Sequence, residues 1–192
     1  MENRIVYLLQ KIAIVVIGVL IAVSINNFKE KANNKRFFAK TLQAIETEIK
    51  LGQSAVDEVL KRHFDVLAGL ENDISEKEQT LGEQLSSLGG IQFPFVKNIS
   101  LRFFISNKAE LVDFELISQL MEIETHSHTL SDKMNRLGDF AYAHINDKEQ
   151  ETKITFAYLL SDVIDSEQAL LESYSSFLDN HKPLLQQSAQ RQ

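Results

Sequence analysis

The sequence predicts an all-α protein: one N-terminal transmembrane helix continuing into a stalk and then an antiparallel helical bundle. Three observations lead there. The 192 residues include only two prolines and seven glycines, so helix breakers are rare. The run from Ile12 to Ile25 carries no charge, and Ser24 is its one polar residue. Beyond it, apolar residues recur at three- and four-residue steps, the period of a helix with one buried face.

The apolar run is the first element, a transmembrane anchor over residues 1–28. A bilayer needs ~20 apolar residues, and the flanks supply the difference. Ile5 to Leu9 precede the run, and Asn26, Asn27 and Phe28 follow it. At the helical rise, Ile5 to Phe28 spans roughly 36 Å, enough for a ~30 Å hydrocarbon layer. Lys11 then lies near one interface with its ammonium reaching the headgroups. Tyr7 and Phe28 fall where interfacial aromatics are expected. Two readings compete. Ala22-Val23-Ser24 resembles a small-x-small cleavage site after a signal-peptide core. A buried helix of a water-soluble fold is the other, although such helices rarely lack a polar face.

The segment VVIGVLIAVSINNFKEK, Val15 to Lys31, resembles the signature of domain-of-unknown-function family 6090, small single-pass membrane proteins found mostly in Bacteroidota. The family's run has the form I-V-x-G-I-L-I-A-L-x-I-N-N-W, followed by a charged helical stalk. Here Val23 stands where Leu is usual and Phe28 where Trp is usual. The resemblance implies a membrane-anchored helical protein of unknown role, and it brings no catalytic residues.

Within the anchor, Gly18 and Ala22 form a small-x-x-x-small pair that lets two helices approach closely, so self-association is one expectation. The anchor contains no Asp or Glu to carry a proton, which argues against an ion-driven motor or pump subunit. Directly after it come Lys29, Lys31, Lys35 and Arg36, expected to contact anionic headgroups of the lipid bilayer. The positive-inside count puts the C-terminal body in the cytoplasm of a bacterium, beneath its inner membrane. Insertion with a periplasmic body is the alternative.

The stalk, residues 29–73, carries Leu42, Ile45, Ile49, Val56, Val59, Leu60, Phe64, Leu67, Leu70 and Ile74 as its stripe. Gly52 and His63 occupy seam positions, which weakens a long two-stranded coiled coil. The stalk is expected to join the bundle after Gly52, with a kink allowed there. The bundle takes residues 74–192. Asn72, Asp73 and Ser75 offer a cap for a short helix over Glu76 to Leu88, ended by Gly89-Gly90. The loop at 89–97 contains IQFPFV, where Pro94 forbids helix just before it. Its aromatics are expected to fold back onto the bundle, with a binding surface for a partner or lipid as the alternative. Asp113 is placed to cap a helix bearing Leu116, Ile117, Leu120, Ile123, Leu130, Met134 and Leu137, punctuated by Gly138. A last helix runs from Lys148 to Asn180 with Ile154, Tyr158, Ile164, Leu171, Tyr174 and Leu178, stopped at Lys182-Pro183. The Gln-rich tail frays.

One cluster has ligand chemistry: Glu122, Glu124, His126 and His128. Glu122 and His126 share a helix face, as do Glu124 and His128. The two pairs point ~200° apart, so either pair needs two more ligands from elsewhere to hold a metal. A solvated face is the plainer reading, and no metal or cofactor is expected. There is no phosphate loop, no nucleophile elbow and, with zero cysteines, no thiolate chemistry. An enzyme is not expected. A net charge of −7, without a basic stripe on the body, argues against nucleic acid. Nor is a small-molecule partner expected. The function these features point to is a membrane-anchored helical scaffold or interaction protein, an oligomer or accessory subunit of a membrane complex. The alternative is a membrane-tethered helical sensor binding a small ligand or ion.

Overall fold

A computed structural model gives the fold and describes residues 2–73, 79–108 and 113–189, without the side chains of 2–10, 12–14, 72–73, 107–108 and 186–189. Among the described residues there are helices and no strands. The helices are α1 (Glu2–Asp73), α2 (Leu81–Ser87), α3 (Ile99–Lys108), α4 (Phe114–Ala143), α5 (Gln150–Asn180) and α6 (Lys182–Ala189). The all-α prediction holds. The chain divides into two units, 1–40 and 41–192, and α1 contributes to both.

In the first unit, the described side chains from Val15 to Asn33 are all exposed. Among the described residues, no helix is long and apolar enough to cross a membrane. The expected span also draws on residues 5–10 and 12–14, whose side chains lie outside the description.

The second unit is built on three long helical faces. On α1 the buried face reads Leu42, Ile45, Ile49, Gly52, Val56, Val59, His63, Val66 and Leu70. These steps alternate three and four, the spacing of a helix seam. On α5 the same alternation runs Lys153, Phe156, Leu160, Val163, Glu167, Leu170, Tyr174 and Phe177. On α4 it takes Leu116, Leu120, Ile123, Leu130, Met134 and Leu137. Burial of each aliphatic or aromatic side chain contributes roughly 1.5–3 kcal/mol. Exposed pairs along α1, such as Lys50–Glu46 and Arg62–Glu58, contribute about 0.3–0.5 kcal/mol each. The seams therefore decide the packing.

Helix directions follow from paired residues. Gln119 meets His181, and Lys133 meets Asp162, so α4 and α5 are antiparallel. Gly52 lies against Tyr174 and His63 against Glu167, so α1 also runs antiparallel to α5. The short helices fill the ends. Thr80 caps α2 with a capping box: its hydroxyl accepts from the Glu83 amide at 3.2 Å, and the Glu83 carboxylate accepts from the Thr80 amide at 2.8 Å. These hydrogen bonds, the backbone one foremost, hold the Glu83 carboxyl below its ordinary value. The next two amides of α2, Leu81 and Gly82, donate to the carbonyls of Asp147 and Ile145 in the α4–α5 turn at 2.9 and 2.8 Å. A Cβ at Gly82 would meet Ile145 Cγ1 at 2.6 Å, so this close docking requires glycine there.

Several expected details change. The α1 core face begins at Leu42, ahead of Gly52, and α1 continues through Gly52 without a break. The glycine permits close approach to Tyr174. His63 and Val66 take the buried positions, leaving Phe64 exposed. Ile74, Ser75 and Glu76 lie outside the described residues, and α2 begins only at Leu81. Asp113 occupies the N-cap of α4 without a side-chain cap bond, and Gly138 lies within that helix. On α5, Tyr158 is exposed while Phe156, Leu160 and Phe177 carry the core. Lys182 and Pro183 open α6, consistent with proline's tolerance in a first turn. Residues 190–192 of the tail lie outside the described residues.

Candidate functional site

The first feature that departs from ordinary packing is the exposed apolar segment of α1. The large apolar side chains from Val15 to Ile25 range from 49% exposed at Val16 to 66% at Val15, and Phe28 is 77% exposed. A Cβ at Gly18 would have nothing within 4 Å, and Ala22 is exposed one turn on. Lys29, Lys31, Lys35 and Arg36 follow, all exposed.

The second feature is the non-helical segment between α2 and α3. Gly89 and Gly90 both adopt positive φ, 89° and 76°, a backbone that other residues adopt only with strain. The chain is then held at several points. The Gln92 carbonyl accepts from His63 Nε2 at 2.8 Å. Asn98 donates to the Ser127 hydroxyl of α4 at 2.8 Å. The Glu48 carboxylate of α1 accepts from the Ser100 amide at 2.9 Å and from its hydroxyl at 3.0 Å, which satisfies an amide at the start of α3. Leu101 and Phe104 are buried, whereas Phe93, Phe95, Ile99 and Phe103 remain exposed. The expectation that the loop aromatics fold back onto the bundle is met in part by Phe93, whose ring stands 3.4 Å from where a Gly138 Cβ on α4 would lie, and is corrected for Phe95, which is 75% exposed. Fastening the loop through backbone and polar groups leaves the Phe95 ring outside. Between loop and α4 lies a half-open cavity of about 500 Å³, floored by Leu130 and Met134.

Beneath the loop, His63 Nδ1 lies 3.0 Å from Glu167 Oε2, with both side chains essentially solvent-free. The Gln92 carbonyl can only accept, so Nε2 carries a proton. One further proton lies between Nδ1 and the carboxylate, and the pair is neutral overall whichever side holds it. Glu167 Oε1 is buried with no hydrogen-bond partner among the described residues.

The predicted metal candidates do not converge. Glu122 is exposed. Glu124 accepts from Arg102 at 2.9 Å. His126 Nδ1 lies 2.7 Å from the Ser173 hydroxyl, which itself donates to the Ala169 carbonyl, so the imidazole is the donor. His128 pairs with Asp132 at 3.1 Å on an exposed face. Among the described residues, no group of three or more histidines and carboxylates could hold a metal ion.

Sequence reading missed the His63–Glu167 pair. Its one signal was His63 in a seam position; the matching Glu167 sits in the α5 seam, four residues before Leu171, which the expected stripe used in place of Leu170. Compared with known proteins, residues 11–85 match the model of a family of unknown function, DUF6090. No curated protein and no solved structure matches the chain.

Proposed function

We propose that this chain, which over residues 11–85 belongs to the DUF6090 family of unknown function, is a membrane-anchored helical scaffold. One observation carries the reading: the large apolar side chains from Val15 to Ile25 are 49% to 66% exposed. Successive positions cover every side of a helix. A protein partner covers one stripe, whereas lipid covers a helix all round. Monomers rarely leave contiguous apolar patches beyond a few hundred Å² in water. The basic side chains Lys29, Lys31, Lys35 and Arg36 suit anionic headgroups at the end of such a span. By charge count the body lies in the cytoplasm, at a bacterial inner membrane.

The scaffold part of the reading rests on open surfaces. Gly18 and Ala22 offer a close-approach face for a second copy, and the fastened loop offers Phe93 and Phe95 to a partner. The sensor alternative is favoured by the cavity beside that loop, which lies in the size range of ligand pockets. Native complexes extracted from membranes in mild detergent and sized by light scattering test the scaffold. An oligomer, or a stoichiometric complex with a second protein, supports it. A monomer without a partner contradicts it.

A further inference from the structure

We infer that the cavity between the Phe93–Ile99 loop and α4 binds a small amphiphilic carboxylate: an aromatic or medium-length aliphatic body with one anionic end. Phe93, Phe95, Val96, Leu130 and Met134 supply apolar walls and floor, the surface that takes up the body of a ligand. Lys97, Arg102 and His128 stand in the same lining, which includes no Asp or Glu. In a chain with 27 acidic residues and net charge −7, the lining itself holds basic groups and no carboxylate, and the nearest acids, Glu124 and Asp132, are already paired with Arg102 and His128.

The three basic side chains differ in availability. Arg102 Nε is engaged by Glu124 at 2.9 Å, and His128 by Asp132 at 3.1 Å. Both acids lie outside the lining. Lys97 has no carboxylate partner among the described residues, and its ammonium stands 5.0 Å from the centre of the Phe95 ring. An ammonium over an aromatic face retains its charge and can take an anion on its open side. A carboxylate at Lys97 would lay its apolar body along Phe93 and Phe95 toward Leu130 and Met134. Asn98, Ser127 and Ser131 complete the rim.

The loop is also preorganised. Gln92 is held by His63, and Asn98 holds Ser127, so little ordering is left for a ligand to impose. The inference does not depend on how residues 15–28 are covered.

The test uses the full chain in nanodiscs of zwitterionic phosphatidylcholine, with 4-phenylbutyrate as probe and 4-phenylbutyramide as its uncharged counterpart. Saturation-transfer NMR against empty nanodiscs reads the binding. We expect saturable binding of the carboxylate to loaded discs only, with the amide weaker by about tenfold. Lys97→Gln should weaken the carboxylate by about the same factor and leave the amide unchanged. Ser131→Trp, at an exposed position on α4, should fill the cavity and abolish both, with the circular dichroism spectrum unchanged. Equal signals from empty and loaded discs would overturn the inference. So would an amide that binds as well as the carboxylate, or insensitivity to both substitutions. A dimer that dissociates on Phe95→Ser would assign the surface to a second copy instead.

Discussion

His63 and Glu167 are 104 residues apart in the chain and meet at 3.0 Å in the core, and the imidazole's other nitrogen fixes the Gln92 carbonyl at 2.8 Å. One side chain thus ties the α1 seam to α5 and the aromatic loop to both. Removing one partner of a buried pair leaves the other uncompensated, at about 3–5 kcal/mol.

We therefore expect His63→Ala to destabilise the protein by about 3–5 kcal/mol in urea unfolding. A double change, His63→Leu with Glu167→Leu, should recover most of that loss, because apolar replacement of a buried pair is often neutral or better. In the double variant, amides from Gln92 to Lys97 should still exchange faster than in the parent, since the loop has lost its tether. Unchanged exchange there would show that His63 does not hold the loop.

Gly52 and Tyr174 give a second expectation, opposite in sign to helix propensity. Glycine to alanine in a helix ordinarily stabilises by roughly 0.8–1 kcal/mol. Here a Cβ at Gly52 would lie 2.8 Å from the Tyr174 hydroxyl and 3.2 Å from Cζ, and the tyrosine is buried. Gly52→Ala should destabilise by about 1–3 kcal/mol. The Tyr174 hydroxyl has no hydrogen-bond partner among the described residues, and burial, aided by the Glu48 carboxylate, pushes the phenol's pKa up. Tyr174→Phe should then stabilise by about 1 kcal/mol and reduce the cost of Gly52→Ala, a coupling that a double-mutant cycle would read.

A third expectation concerns pH. His181 follows the end of α5, with Nε2 donating to Gln119 at 2.9 Å and its ring against Phe177. Burial lowers its pKa from the ordinary 6.5, only partly opposed by the Glu115 carboxylate. The unfolded chain therefore binds this proton more readily than the folded one. Stability should be fully present above pH 6.5 and decline as pH falls from there through the lowered folded value. His181→Gln should flatten that decline in thermal melts between pH 7 and 5 (about the range where histidine titrates). A slope unchanged by the substitution would assign the decline to other groups.

The long helices were legible because their periodicity is carried by side chains that end up buried. Of the face expected on α4, Leu116, Leu120, Ile123, Leu130, Met134 and Leu137 are buried and Ile117 is half-buried. The α5 face was read less well. Apolar residues occur nearly all round that helix, and its true seam includes Lys153 and Glu167, residues that sequence reasoning places outside. Gly52 and His63 were located in the seam, but what they meet there depends on α5 and on Gln92, which no local pattern shows. Boundaries failed where a local signal competes with docking. Gly138 reads as punctuation, yet α4 continues beyond it, and a Cβ there would touch Phe93 at 3.4 Å. The exposure of Phe93, Phe95 and Phe103 was also not legible, because it follows from hydrogen bonds made by Gln92, Asn98 and Ser100.

The exposed stretch from Val15 to Phe28 remains the feature with the largest physical consequence, since each large apolar side chain there forgoes roughly 1.5–3 kcal/mol until something covers it. The direct measurement is flotation of the full-length, unclipped chain with its native membranes after alkaline carbonate extraction. We expect it to float with the lipid and to be released only by detergent. Recovery of the intact chain in the carbonate supernatant would contradict the membrane anchor and, with it, the proposed function.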